Sequence, residues 1–374
     1  MIRSFFILNF LLTSMMLRAQ SVENASCYFV GHSLVNFDMP AMMHQLAESA
    51  GKGSDYAAQI IIGSPLRWNY ENPGSAQGTP YTTALPTGNY SHMIVTEAVP
   101  LLNHTAWSET YAKANDFLTY ARTYRPDIRY YIYETWHCIN TGIGEGCPYD
   151  ADASLLWQPR LVNDFAKWAK IVDSVRILQN YSDVYMVPAG QAFYRLSQEI
   201  DQDNVPGITS FRDLFSDDIH LTLTGNYFVA CVMYATIYGE SPEGLTNEIY
   251  DDYDDLKLAV PLALAEKLQA VAWQEVCENP YSGVNCVITA MESSSKSLSP
   301  VTIYPQPATS EFTVELPGEQ PAGFTLSNNL GTVIIRGNLN GGKSIIATGT
   351  LSPGIYTLTI YQDRKMFSKK VSIR

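Results

Sequence analysis

The apolar run Tyr28-Phe29-Val30 closes on Gly31 and is followed at once by His32 and Ser33. A strand built this way hands a hydroxyl to the edge of whatever sheet it joins. Further apolar runs at 59–62, 92–100, 130–133 and 184–187 are separated by stretches with helical spacing at 39–50, 108–125, 160–178 and 191–199. Apolar strands that alternate with amphipathic helices predict a sheet whose strands run parallel and are covered by helices. In such sheets ligands gather where the strands end at their carboxyl sides, and Ser33 stands at one of those ends.

A second stretch, Asp217-Asp218-Ile219-His220, lies just before an apolar helix expected at 224–238. A hydroxyl is a poor nucleophile at neutral pH; it needs an imidazole to take its proton and a carboxylate to fix that imidazole's tautomer. Asp217 and His220, three apart in a turn, can point their side chains the same way, whereas Asp218 faces elsewhere. The competing reading is a helix-capping acid beside a surface histidine. Gly31-His32-Ser33-Leu34 and Asp217-x-x-His220 resemble the first and last sequence blocks of the SGNH (GDSL-type) hydrolases, over roughly residues 25 to 240.

That resemblance implies a three-layer α/β/α fold of the flavodoxin-like kind and ester hydrolysis without a cofactor. It assigns catalysis to Ser33, Asp217 and His220, and gives the oxyanion to the backbone N–H groups of Ser33 and Gly63, which closes the second apolar run. A strand-ending turn explains Gly63 equally well. The family's Gly-x-Asn-Asp segment is missing after the third run, and Asn103 is the nearest replacement for its asparagine. Losing one such donor costs about 2.7 to 4 kcal/mol in the transition state.

Glu97, Trp136 and His137 fall at strand ends and are candidates for a substrate pocket, with Trp136 as an aromatic wall or else a core residue. Residues 67–90, with Trp68, Tyr70 and Tyr81, read as a long surface loop able to stack on sugar rings or to pack on the sheet. The glycine-rich stretch 140–146 lacks the lysine and the strand-to-helix setting of a phosphate loop. The acidic run 249–255 lacks the glycine and distal glutamate of an EF-hand and reads as a solvated helix start; the last helix is expected at 261–276. No histidine or cysteine spacing suggests a metal.

At 374 residues the chain is long enough for two domains. Residues 1–19 read as a signal peptide, 20–288 as the hydrolase-like domain, 289–299 as a Ser-rich linker and 300–374 as a small β-sandwich of short alternating strands. Ile303-Tyr304-Pro305-Gln306-Pro307-Ala308, Leu351-Ser352-Pro353-Gly354-Ile355-Tyr356 and Lys369-Lys370-Val371 resemble the C-terminal sorting domain of the type IX secretion system of Bacteroidetes. That resemblance implies export across the outer membrane through the secretion machinery, to the surface or the medium. Export makes disulfides plausible, and Cys138 with Cys147 and Cys277 with Cys286 are the expected pairs. Cys27 and Cys231 read as buried small hydrophobes, or as a third pair if their elements are neighbours. A formal charge of −13 argues against nucleic acid, and no membrane span is expected in the mature chain. A secreted serine esterase, acting on acyl groups of carbohydrate, is therefore expected; the alternative is a non-catalytic carbohydrate-binding or surface-interaction protein on the same scaffold.

Overall fold

The structure is a computed structural model that describes residues 22–143, 147, 150, 152 and 154–286, then 301–316, 320, 322–328, 333–349, 351–362 and 365–374. The expected signal peptide and linker lie outside the described residues. The chain divides into two compact units, 1–287 and 288–374.

The first unit begins with β1 (Asn24–Gly31), α1 (Asp38–Ser49) and β2 (Gly53–Ile60), followed by the short α2 (Leu66–Glu71), β3 (Gln77–Gly78) and α3 (Tyr81–Ala84). It continues through β4 (His92–Val95), α4 (Leu101–Trp107), α5 (Thr110–Tyr124), β5 (Arg129–Glu134), α6 (Trp157–Gln179), β6 (Val184–Pro188) and α7 (Ala189–Asp201). It closes with α8 (Leu223–Tyr238), a hairpin of β7 (Glu248–Tyr250) and β8 (Leu256–Ala259), and α9 (Leu262–Glu278).

The sheet order is β3-β2-β1-β4-β5-β6, with β3 antiparallel at the edge and the other five strands parallel. Counted in chain order, those five run 2-1-3-4-5, the flavodoxin-like winding. Alternate strand residues enter opposite cores: Phe29, Ile94, Tyr131 and Tyr133 face α1, α7, α8 and α9, whereas Tyr28, Val30, Met93 and Tyr130 face α5 and α6. Both faces of the central strands β1, β4 and β5 are thus apolar, which is why their sequence runs are continuous rather than alternating. The run Gly225–Tyr238 of α8 is buried all round, and the helix packs between α1 and α9.

Three local expectations are corrected. The second strand ends at Ile60, because Ile61 and Ile62 enter a turn completed by Gly63 at a φ of +68°. Residues 67–90 are not an open loop: Tyr70 stacks on Tyr81 and both meet Phe117 edge-on. The acidic run 249–255 is the hairpin of β7 and β8, not a helix start.

The second unit pairs a three-stranded sheet, β9 (Thr302–Tyr304), β10 (Glu311–Glu315) and β13 (Lys343–Ala347), with a four-stranded one. The latter holds β11 (Ala322–Ser327), β12 (Val333–Leu339), β14 (Gly354–Gln362) and β15 (Lys365–Ile373). Among the described residues the strands of each sheet pair antiparallel, and Phe312, Val314, Leu326, Leu358 and Val371 fill the space between the sheets.

Candidate active site

The turn after β1 leaves no room for a side chain at position 31. A Cβ there would stand 2.5 Å from Val35 Cγ2 and 2.8 Å from Thr96 Cγ2, so glycine lets the chain reverse tightly and deliver Ser33. His32 is buried and braces the turn. Its Nδ1 accepts from the Leu34 amide at 3.3 Å, which leaves Nε2–H to donate to the Glu97 carbonyl at 3.1 Å. Burial pushes this imidazole down to about 4, against the pull of the carbonyl, so it stays neutral. Asn36, in the left-handed region at φ +43°, closes the turn and caps α1 by accepting from the amides of Asp38 and Met39.

The segment before α8 is held from several directions. Ser210 and Asp213 form a capping box, and Ser216 N–H donates to the His220 carbonyl at 2.8 Å. Trp136 Nε1–H donates to the Ile219 carbonyl at 2.7 Å, and the Ile139 amide donates to the Asp218 carbonyl at 2.7 Å. Within that frame one oxygen of Asp217 accepts the amides of Ile219 and His220 at 2.8 and 2.6 Å, and the other accepts His220 Nδ1–H at 2.7 Å. Burial opposes the charge on Asp217, but those donors outweigh it and hold the carboxyl below the usual range. His220 Nε2 lies 2.9 Å from Ser33 Oγ. Asn36 Nδ2 donates to Asn226 Oδ1 at 3.3 Å, tying the serine turn to the first turn of α8.

Ser33, His220 and Asp217 are therefore one hydrogen-bonded chain, and His220 and Asp217 remain about half exposed at its open end. Gly63 is exposed in its turn, and neither its N–H nor that of Ser33 has a protein acceptor among the described residues. Asn103 is half-buried on α4.

The pocket expectations are corrected for two of three residues. Glu97 is 1% exposed; one oxygen accepts the Leu66 and Ala98 amides and the other accepts Thr110 Oγ1–H, so the carboxyl is spent inside the fold. Burial pushes it up to about 7 despite those three donors. Trp136 is wholly buried among Phe193 and Phe215 and reaches the site only through Ile219. His137 is buried too, its Nε2 against the Asp164 carboxylate, yet it borders a cavity of about 210 Å³. Val99, Pro100, Cys138, Cys147 and Ile219 complete most of that cavity's lining. It opens beside the Asp217–His220 turn, although Ser33 and His220 are not among its walls. Sequence reasoning missed Val99, Pro100 and Ile219 here; apolar residues in the segments between strands and helices carry no signal of their own.

The expected disulfides are formed, Cys138 with Cys147 and Cys277 with Cys286, while Cys27 and Cys231 are free and buried. Among the described residues no group of three metal-ligating side chains occurs, and no helix is long and apolar enough to cross a membrane.

Residues 302–374 match the family model of the secretion system C-terminal sorting domain. The chain is an exported protein. Type IX secretion carries it to the cell surface or releases it. No curated protein matches the chain. Among solved structures, the chain is similar to a DUF4886 family protein from Bacteroides uniformis at 16% identity and a TM-score of 0.47, covering 68% of this chain and 95% of that one. A member of the lipolytic G-D-S-L family from Veillonella parvula follows at 15% identity and a TM-score of 0.31, covering 56% and 95%. A carbohydrate esterase family 3 protein from Talaromyces cellulolyticus gives 10%, 0.36, 56% and 94%.

Proposed function

We propose that the first unit is a serine ester hydrolase of the SGNH kind, acting on an acyl group carried by a carbohydrate. The observation that carries the reading is His220 held between Ser33 Oγ at 2.9 Å and Asp217 Oδ2 at 2.7 Å. In that arrangement Ser33 Oγ attacks the ester carbonyl while His220 Nε2 takes its proton, and Asp217 stabilises the imidazolium. The oxyanion is received by the N–H groups of Ser33 and Gly63, with Asn103 as the third donor. His220 then returns its proton to the leaving alcohol, and a water, activated by the same imidazole, releases the acid and regenerates Ser33.

The cavity beside the histidine turn supports a small acyl group. At about 210 Å³ it lies below the range of pockets that hold drug-sized ligands, and its wall is apolar at Val99, Pro100 and Ile219 and polar at His137, Asp150 and Asp218. Hydrolysis of p-nitrophenyl acetate, butyrate and octanoate by the mature protein tests both points. Activity should fall from acetate to octanoate, and Ser33→Ala or His220→Ala should remove it by roughly 10⁴-fold or more. Wild-type turnover no faster than that of the variants, together with no labelling of Ser33 by a fluorophosphonate, sinks the reading in favour of a non-catalytic binding protein.

A further inference from the structure

A second concavity, of about 500 Å³, lies between α1 and the hairpin of β7 and β8. Its rim carries three aromatic rings that the fold leaves in solvent: Phe37 at 43% exposure, Tyr250 at 40% and Tyr253 at 85%. None of the three belongs to a core cluster. The hairpin that presents the tyrosines is nevertheless rigidly built. Asp251 Oδ1 accepts the amides of Tyr253 and Asp255, Asp254 takes the left-handed conformation, and Gln45 of α1 exchanges two 2.9 Å hydrogen bonds with the backbone of Tyr250.

The floor is polar. The Tyr56 phenol lies there with Asp252 facing it, and burial first and that carboxylate second push the phenol above its usual range. Lys257 is neutralised by Asp38 at 2.5 Å. Flat apolar rings on the rim with hydroxyl and carboxylate partners beneath suit a ring whose faces are C–H and whose edge is hydroxyl. That is the chemistry of a pyranose.

We propose that this groove binds a neutral polysaccharide chain on the flank of the Ser33 site. The inference rests on the ester-hydrolase reading, because it is the nearby serine that gives the groove its occupant. Phe37 is only four residues beyond Ser33, so the Cα atoms of the groove's nearest ring and of the candidate nucleophile are at most about 14 Å apart. A polymer that presents an ester to Ser33 has to run away over the surface, and here the surface offers ring-stacking ground. Asp251, Asp252, Asp254 and Asp255 at the hairpin, in a chain of net charge −13, disfavour a uronate-rich chain.

The test uses the full mature chain with Ser33→Ala, in affinity electrophoresis through gels containing partly acetylated xylan, glucomannan or polygalacturonate. Retardation by at least one neutral chain and none by polygalacturonate is expected, with Tyr253→Ala plus Tyr250→Ala weakening binding about tenfold. On the Ser33 background the same pair should raise KM for the acetylated polymer at least about fivefold, leave kcat in place and spare p-nitrophenyl acetate. Equal retardation of parent and tyrosine variant, or retardation by neither neutral chain, overturns the groove. Retardation lost with the tyrosines in a protein that hydrolyses no ester keeps the groove and removes the hydrolase, so the two failures are distinguishable.

Discussion

His32 stands one residue from Ser33 and takes no part in moving its proton, because both ring nitrogens are spent on the backbone and burial keeps the ring neutral. His220 is placed differently, with Nδ1 anchored on Asp217 and Nε2 facing Ser33 Oγ. Replacing Asp217 by Asn leaves the amide contacts to Ile219 and His220 possible but removes the acceptor that selects the Nδ1–H tautomer. We expect kcat to fall by about 10⁴ with KM little changed, read from the p-nitrophenyl ester assay. Glu97 makes a second prediction at this scale. Its folded value is raised to about 7 from the ordinary 4.5, so the stability it contributes is fully present below about pH 4.5 and is lost as pH rises through 7. Glu97→Gln keeps an acceptor for the two amides, reverses the Thr110 contact so that its own amide N–H donates to Thr110 Oγ1, and cannot ionise. Denaturant midpoints should show wild type losing ground relative to this variant between pH 5 and 8; parallel curves would refute the buried, protonated state.

At the scale of elements, the histidine turn is held by the loop after β5 as much as by its own residues. Trp136→Phe deletes the 2.7 Å bond to the Ile219 carbonyl and leaves space beside Phe193 and Phe215. A loss of about 1 to 3 kcal/mol in stability is expected, with kcat reduced more than KM is raised, because His220 loses its register on Ser33. Kinetics and thermal unfolding of the one variant check both. The parts legible in sequence were those decided by near neighbours: the Asp217–His220 turn, the Gly31 reversal, and the cysteine pairs nine residues apart. Trp136 and Glu97 misled because a strand-end position says nothing about what covers it. Phe193 of α7 and Phe215 in the segment before α8 cover the first, and α2 and α5 supply the donors that turn the second inward. The acidic hairpin misled for a like reason, since its partner, Gln45, lies 205 residues away in the chain.

At the scale of the whole molecule, each unit closes its own core, with no residue shared between the two sets. Calorimetry of the full chain should therefore give two transitions, and removal of 302–374 should abolish one while leaving ester turnover per molecule unchanged. A single transition that moves as a whole on truncation would show the units to be energetically one. The pattern of cysteines has a consequence for how such a chain matures. Cys27 and Cys231 end up buried and unpaired, their thiols pushed well up by that burial. In the unfolded chain each of the four paired cysteines has its mate nine residues away, whereas any other pairing among the six closes a loop of 46 residues or more, at an added entropic cost of about 1.4 kcal/mol upward. Correct bonds are thus favoured in the nascent chain before any tertiary contact forms, and oxidation in the periplasm should reach the native pairing with little demand on an isomerase.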